Sequence, residues 1–205
     1  MSKTLTALAL NGTLKTSDKG QSSTDKMIDL LLAEFRKEGI EGEAIRLADH
    51  NILPGVTSDE GPEDEWPAIR KKILNADILI AGTPVWMGQP SSVIKRALER
   101  MDAFIGEKDT SGRMPSYGRV AVVACVGNED GAHHVSAELF QALNDVGFTI
   151  SPNAVSYWVG EAMGSTDFID LEAVPETVSS TVTMVARTSA HLARLLADAP
   201  YPSLK

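Results

Sequence analysis

Three stretches of this chain gather groups suited to binding. Asn11 to Thr24 reads NGTLKTSDKGQSST, a run of glycines and hydroxyls with two lysines, and a helical pattern begins at its end. Free backbone N–H groups and the positive end of the helix dipole make such a terminus an anion site. Its candidate residues are Asn11, Gly12, Thr13, Lys15, Ser22, Ser23 and Thr24. A plain structural role competes with this, in which Ser23 or Thr24 simply caps the helix. Gly82 to Pro90 reads GTPVWMGQP, with candidates Thr83, Pro84, Val85, Trp86, Met87 and Gly88. Pro84, Trp86 and Gly88 can supply a tight turn, an indole face and an accessible N–H. Core packing is the other reading of Trp86, and a loop with two prolines argues against it. Gly127 to Gly131, GNEDG, is small and polar. Gly127, Asn128 and Gly131 either close over the edge of a ligand or form a turn.

Other reactive residue types carry less. His134 and Glu138 stand four apart in a helical pattern beside His133, but two ligands are too few for a metal centre. No metal site is expected. Cys125 sits inside an apolar run and reads as core. The acidic stretch Asp59–Glu65 reads as a solvated loop. Tyr157 and Trp158, with Met163, Gly164 and Ser165 after them, suit either a substrate pocket or a subunit interface.

The elements that must position the three stretches alternate in type. Thr4–Leu10 is a short apolar run, as in strands buried on both faces of a parallel sheet. Met27, Ile28, Leu31, Leu32 and Phe35 recur at helical spacing within Thr24–Glu38, and Gly39 stops them. Glu43–Leu47 reads as a polar edge strand. Trp66, Ile69 and Ile73 mark a helix with Pro67 in its first turn. Ile78–Ala81 is a strand and Ser91–Met101 a helix. Val120–Val126 is the clearest strand, and Val135, Leu139, Leu143 and Val146 follow it at helical spacing. Phe148–Ile150 and Val155–Trp158 read as a last strand, split or at an edge because Pro152 cannot donate to a ladder. A helix from about Pro175 to Ala197 ends the pattern.

Five strands alternating with five helices predict one doubly wound α/β sheet and, over residues 1–205, a single domain. Its ligand belongs outside the carboxyl ends of the strands, where the three stretches lie. Composition agrees: 43% of residues are hydrophobic and 23% charged, as in ordinary globular proteins. The net charge of -9 speaks against nucleic acid or an anionic membrane surface as partner. One cysteine excludes an internal disulfide and fits a reducing compartment. Ala7-Leu8-Ala9 faintly resembles a signal-peptidase site, but Asn11 and Gly12 end the apolar run far short of the ~15–30 residues of a signal. No run nears the ~18 apolar residues that would span a bilayer. A cytoplasmic location is expected.

No dinucleotide fingerprint, Walker A pair or G-x-S-x-G elbow occurs. An acidic cluster after the first strand, as a phospho-receiver needs, is replaced by Asn11-Gly12-Thr13. The run GTPVWMGQPSSVIKRALERMD, however, resembles the flavin loop and following helix of flavodoxin-fold NAD(P)H-dependent FMN reductases and quinone reductases. Thr83, Pro84, Val85, Lys95, Glu99 and Arg100 occupy the matching places, with Trp86 where that family has Tyr and Glu99 where it has Asp. The first stretch resembles the same family's phosphate loop through Gly12, Thr13, Lys15, Ser23 and Thr24, within a longer loop.

The resemblance implies a flavodoxin-like three-layer sandwich with a five-stranded parallel sheet and one FMN held by the residues named above. It implies NAD(P)H as co-substrate, hydride passing through FMN to a quinone, a free flavin or another small acceptor, and a homo-oligomer. The cofactor carries such chemistry, so no side chain is assigned as a catalytic acid or base. A flavodoxin-type electron carrier, binding FMN without reacting with NAD(P)H, is the alternative, and an acidic surface would suit its docking to a basic redox partner.

Overall fold

The computed structural model describes residues 4–161 and 164–205. Five parallel strands lie in the order β2-β1-β3-β5-β6: β1 Thr6–Asn11, β2 Glu41–Arg46, β3 Ile78–Trp86, β5 Val120–Gly127 and β6 Thr149–Val159. A two-residue strand, β4 (Gln89–Pro90), folds back antiparallel on the end of β3. Discounting β4, this is the flavodoxin-like order, with its switch point between β1 and β3. The helices are α1 Ser23–Lys37, α2 Trp66–Asn75, α3 Ser92–Met101, α4 Ala132–Asp145 and α5 Glu176–Asp198.

Alternation along the strands divides the core into two layers. Ala7, Ala9, Ile78, Ile80, Val120 and Val122 face α1 and α5, against Met27, Leu31, Phe35, Val182 and Val185. Leu8, Leu10, Leu79, Ala121 and Val123 face the other side, against Trp66, Ile73, Ile94, Met101 and Leu139. Burial on both faces explains the unbroken apolar runs of β1, β3 and β5.

One element departs from the sequence reading, and for another the structure selects between the alternatives it left open. Gly82–Pro90 is only partly a loop, because β3 runs on to Trp86 and turns at Met87-Gly88 into β4. Pro84 is tolerated there because β1 pairs with β3 only as far as Gly82, while β5 pairs with it through Pro84. One side of the strand thus needs no donor. The last strand is a single edge strand, β6, carrying Pro152 at a register shift opposite Ala121–Val123, with Asn153 at a φ of 52°. Among the described residues no helix is long and apolar enough to cross a membrane.

Candidate functional site

The β1–α1 loop is drawn against the β3 edge. The Gly12 amide donates to the Gly82 carbonyl at 2.8 Å, and Ser91 Oγ donates to the Gly12 carbonyl at 2.5 Å. A Cβ on Gly12 would lie 2.7 Å from Ile94 Cβ and 2.9 Å from the Gly82 oxygen, so only glycine fits. Asn11 is buried and makes the turn: its Oδ1 accepts from the Thr13 amide at 2.9 Å and its Nδ2 donates to Asp25 Oδ1 at 2.6 Å. Thr83 is likewise internal, with Oγ1 accepting from the Ser91 amide at 3.0 Å and donating to the Pro84 carbonyl at 2.9 Å.

The cap of α1 is Ser22, one residue earlier than the capping reading placed it. Its Oγ accepts from the Asp25 amide at 3.2 Å, and the Ser22 amide donates to Asp25 Oδ2 at 2.7 Å. Lys26 N–H bonds the Ser22 carbonyl at 3.2 Å. The amides of Ser23 and Thr24 have no acceptor within the helix and sit where both residues line a pocket. Arg46, at the end of β2, pairs with Asp25 and donates to the carbonyls of Thr16 and Gly20 at 3.0 and 2.9 Å, bracing the long loop. Asp49 accepts from the Ser17 amide at 2.7 Å, a bond that holds its carboxyl below the usual carboxylate range.

That pocket, about 210 Å³, opens at the carboxyl ends of β1, β3 and β5. Thr13, Lys15, Ser22, Ser23 and Thr24 form its polar end, and Pro84, Val85, Trp86, Val126, Gly127 and Asn128 its flat, largely apolar remainder. Leu14, Asp167 and Phe168 complete the lining. Most sequence-predicted residues are therefore brought together. Asn11, Gly12 and Thr83 stand behind the wall as supports. Met87 is 88% exposed and borders a second cavity, with its amide given to Glu129 Oε1 at 2.6 Å. Gly88 packs at the hairpin tip, where a Cβ on Gly131 would come within 2.8 Å of its Cα. The third loop thus supports the hairpin through Glu129 and Gly131 and reaches the pocket through Gly127 and Asn128.

Leu14, Asp167 and Phe168 were not singled out in the sequence. Phe168 sits on a 3-10 turn clamped by Lys26 Nζ, which donates to the carbonyls of Phe168, Ile169 and Leu171 at 3.0, 3.2 and 3.1 Å. Ser23 Oγ accepts from the Ile169 amide at 3.1 Å, and Asn128 Nδ2 donates to Asp167 Oδ1 at 3.1 Å. Nothing in that segment's spacing signals this return to α1. Of the Met163-Gly164-Ser165 group, Met163 lies outside the described residues.

The remaining candidates sort by burial. Cys125 is wholly buried, and burial pushes its thiol up to about 12, so it is core. His133 Nε2 lies 3.1 Å from the Tyr157 hydroxyl, while His134 Nε2 lies 3.1 Å from Glu138 and 3.0 Å from Gln89 Nε2, so the two rings diverge. The acidic stretch is not uniformly solvated. Asp64 is buried against Arg100 at 2.7 Å, and Arg100 also donates to the carbonyls of Thr57 and Leu53. Arg100, which the resemblance placed beside the flavin loop, therefore anchors the loop before α2. Glu99 is exposed and Lys95 lines the second cavity.

This donor set suits a phosphate monoester joined to a planar ring. Two first-turn amides, hydroxyls and an ammonium meet one end, while proline, valine and an indole meet the other. Comparison with known proteins agrees. Residues 5–164 match the model of the NADPH-dependent FMN reductase family. The chain is 36% identical over 208 residues to 8-demethyl-8-aminoriboflavin-5'-phosphate synthase of Streptomyces davaonensis, spanning 96% of this chain and 80% of that protein. The crystal structure of RosB with bound intermediate 8-demethyl-8-formylriboflavin-5'-phosphate matches with a TM-score of 0.87 and 33% identity, over 96% of this chain and 82% of that one. An apo NADH:FMN oxidoreductase shares the fold, with a TM-score of 0.66 at 19% identity over 98% of this chain and 94% of that one. A family model spanning most of the chain, on a parallel sheet in the flavodoxin-like order, leads to one conclusion: the chain belongs to the NADPH-dependent FMN reductase family and is an FMN-dependent NAD(P)H oxidoreductase of flavodoxin-like fold.

Proposed function

We propose that the first pocket holds FMN with its phosphate at the Thr13, Lys15, Ser22, Ser23 and Thr24 end, and that the enzyme reduces a small acceptor such as a quinone or a free flavin at the expense of NAD(P)H. The observation that carries this reading is the meeting of a polar donor cluster and a flat apolar wall in one cavity at the switch-point edge of the sheet. FMN, when bound, accepts a hydride and hands electrons on. The protein's own part is positional. The amides of Ser23 and Thr24 and the Lys15 ammonium neutralise the phosphate. Pro84, Val85 and Trp86 hold the ring, with Gly127 and Asn128 at its edge. Trp86 from the β3–β4 hairpin and Phe168 from the returning segment are the aromatics at the pocket, and the third loop adds none.

A second reading has one specific support. The synthase of Streptomyces davaonensis is named for a product that is itself a riboflavin phosphate, so this chain's flavin could be its substrate. One experiment separates the readings. NADPH or NADH is mixed anaerobically with the FMN-loaded protein, a quinone is added, and the flavin is recovered for mass spectrometry. The expected result is bleaching within seconds, recovery of colour with the quinone and a flavin of unchanged mass. A changed mass supports the second reading. Reduction by dithionite but by neither nucleotide over minutes supports the electron-carrier alternative.

A further inference from the structure

The short turn Phe168–Asp170 follows β6, returns to the first pocket and lies beyond residues 5–164, which the family model matches. It is tied to both parts of that pocket. At the apolar part, Asp167 Oδ1 accepts from Asn128 Nδ2 at 3.1 Å. At the polar end, the Ile169 amide donates to Ser23 Oγ at 3.1 Å. Asp167 lines the pocket and is thus held between the two parts. Its second carboxylate oxygen, Oδ2, has no partner among the described residues. The bond from Ile169 occupies a lone pair of Ser23 Oγ and leaves that hydroxyl's proton free to be donated. The turn itself is fixed from α1, where Lys26 Nζ bonds the carbonyls of Phe168, Ile169 and Leu171. The wholly buried Phe168 ring packs on Trp158 at 5.4 Å between centroids, with the Lys26 ammonium 5.2 Å from it.

We propose that this turn is a further flavin-binding element beside the three loops. The Asp167 carboxylate accepts hydroxyls of the sugar-alcohol chain that joins the phosphate to the ring, and Lys26 is the positioning residue that holds it there. This rests on the reading of the first pocket as the FMN site. In FMN the chain lies between phosphate and ring and carries the hydroxyl donors, and an ionised carboxylate only accepts. Asp167 stands in the corresponding place, between Ser23 and Asn128. A carboxylate repels a phosphate, so its presence on this wall suits a hydroxyl donor and not the anion.

Fluorescence titration of the full chain with FMN, riboflavin and lumiflavin tests it, lumiflavin being the ring without the hydroxyl chain. Asp167→Ala is expected to weaken riboflavin roughly tenfold and to leave lumiflavin unchanged. FMN should weaken by less than riboflavin, because loss of the carboxylate also relieves its repulsion of the phosphate. Lys26→Met should lower the ratio of riboflavin to lumiflavin affinity in the same sense. In the double variant it should add little to Asp167→Ala, since both act through one contact. Unchanged lumiflavin affinity in each variant reports an intact fold and an intact ring site. Riboflavin affinity unmoved by Asp167→Ala would overturn the proposal. Equal weakening of all three flavins by either variant would make the turn a packing element and would also overturn it. Stronger FMN binding with riboflavin unmoved would put Asp167 at the phosphate, against the proposal. Wild-type protein that binds none of the three flavins would break the underlying reading, a result that needs no variant and is therefore separate.

Discussion

Thr24 is almost wholly buried, yet it lines the polar end of the pocket proposed for FMN. A hydrogen bond from a sheltered hydroxyl to a charged group is worth about 1.5–3 kcal/mol. Thr24→Val keeps the shape and removes the donor. FMN affinity is expected to fall by roughly tenfold to a hundredfold while riboflavin affinity stays level, read by titration calorimetry. Equal weakening of both would make Thr24 a packing residue. Asp64 offers a prediction of stability. Burial acts to raise its carboxyl, but the Arg100 bond and the amides of Glu60, Trp66 and Leu53 outweigh this and hold it at about 2, against an ordinary 3.8. A depressed acid contributes stability that is present above its unfolded value, so this contribution is lost as pH falls from 3.8 through about 2. Asp64→Asn leaves Arg100 buried without its counter-charge and is expected to cost about 3–5 kcal/mol in urea denaturation at pH 7. The gap between variant and wild type should narrow near pH 2. The resemblance made Arg100 visible but not its role, because its partner lies in an acidic stretch whose composition reads as solvated.

At the scale of elements, the β3–β4 hairpin is the device that presents Trp86. Its two-residue turn needs positive φ at both positions, met by Gly88 at 72° and, under strain, by Met87 at 51°. Glu129 offsets that strain by accepting the Met87 amide. Met87→Asn is therefore expected to raise stability by about 0.5–1 kcal/mol, measured as a higher urea midpoint. An unchanged or lower midpoint would show that Met87 is not strained. The hairpin was half legible. Trp86 between prolines and glycines signalled an exposed turn, but the strand's extension through Pro84 depends on where β1 ends, and sequence periodicity does not carry that length. Ser22 was legible by contrast: its capping role rests on Asp25, three residues on, a spacing visible in the sequence but passed over for its neighbours.

At the scale of the molecule, the site is assembled from the ends of three strands, the start of α1 and a returning segment at Asp167-Phe168. A ligand that bridges these parts binds the native chain and not the unfolded one. FMN at about a hundred times its dissociation constant should therefore add about 2.7 kcal/mol to the unfolding free energy, read by denaturation with and without the cofactor. No stabilisation at that excess would mean that the pocket forms without taking up the flavin. The alternation of apolar runs and helical spacings was enough, from sequence alone, to determine the doubly wound sheet. A core buried on both faces leaves a strand no polar positions, and such runs are hard to mistake. The sequence also determined which loops lie at the strands' carboxyl ends, where this topology places a ligand site. Only the tertiary structure decided which loop residues reach the pocket and which brace it. Asn11, Gly12 and Thr83 share their chemistry with Thr13, Ser23 and Thr24, and differ only in the direction the backbone gives them. Phe168, Arg46 and Asp64 act through partners remote in the chain, and contacts of that kind leave no period in the sequence to read.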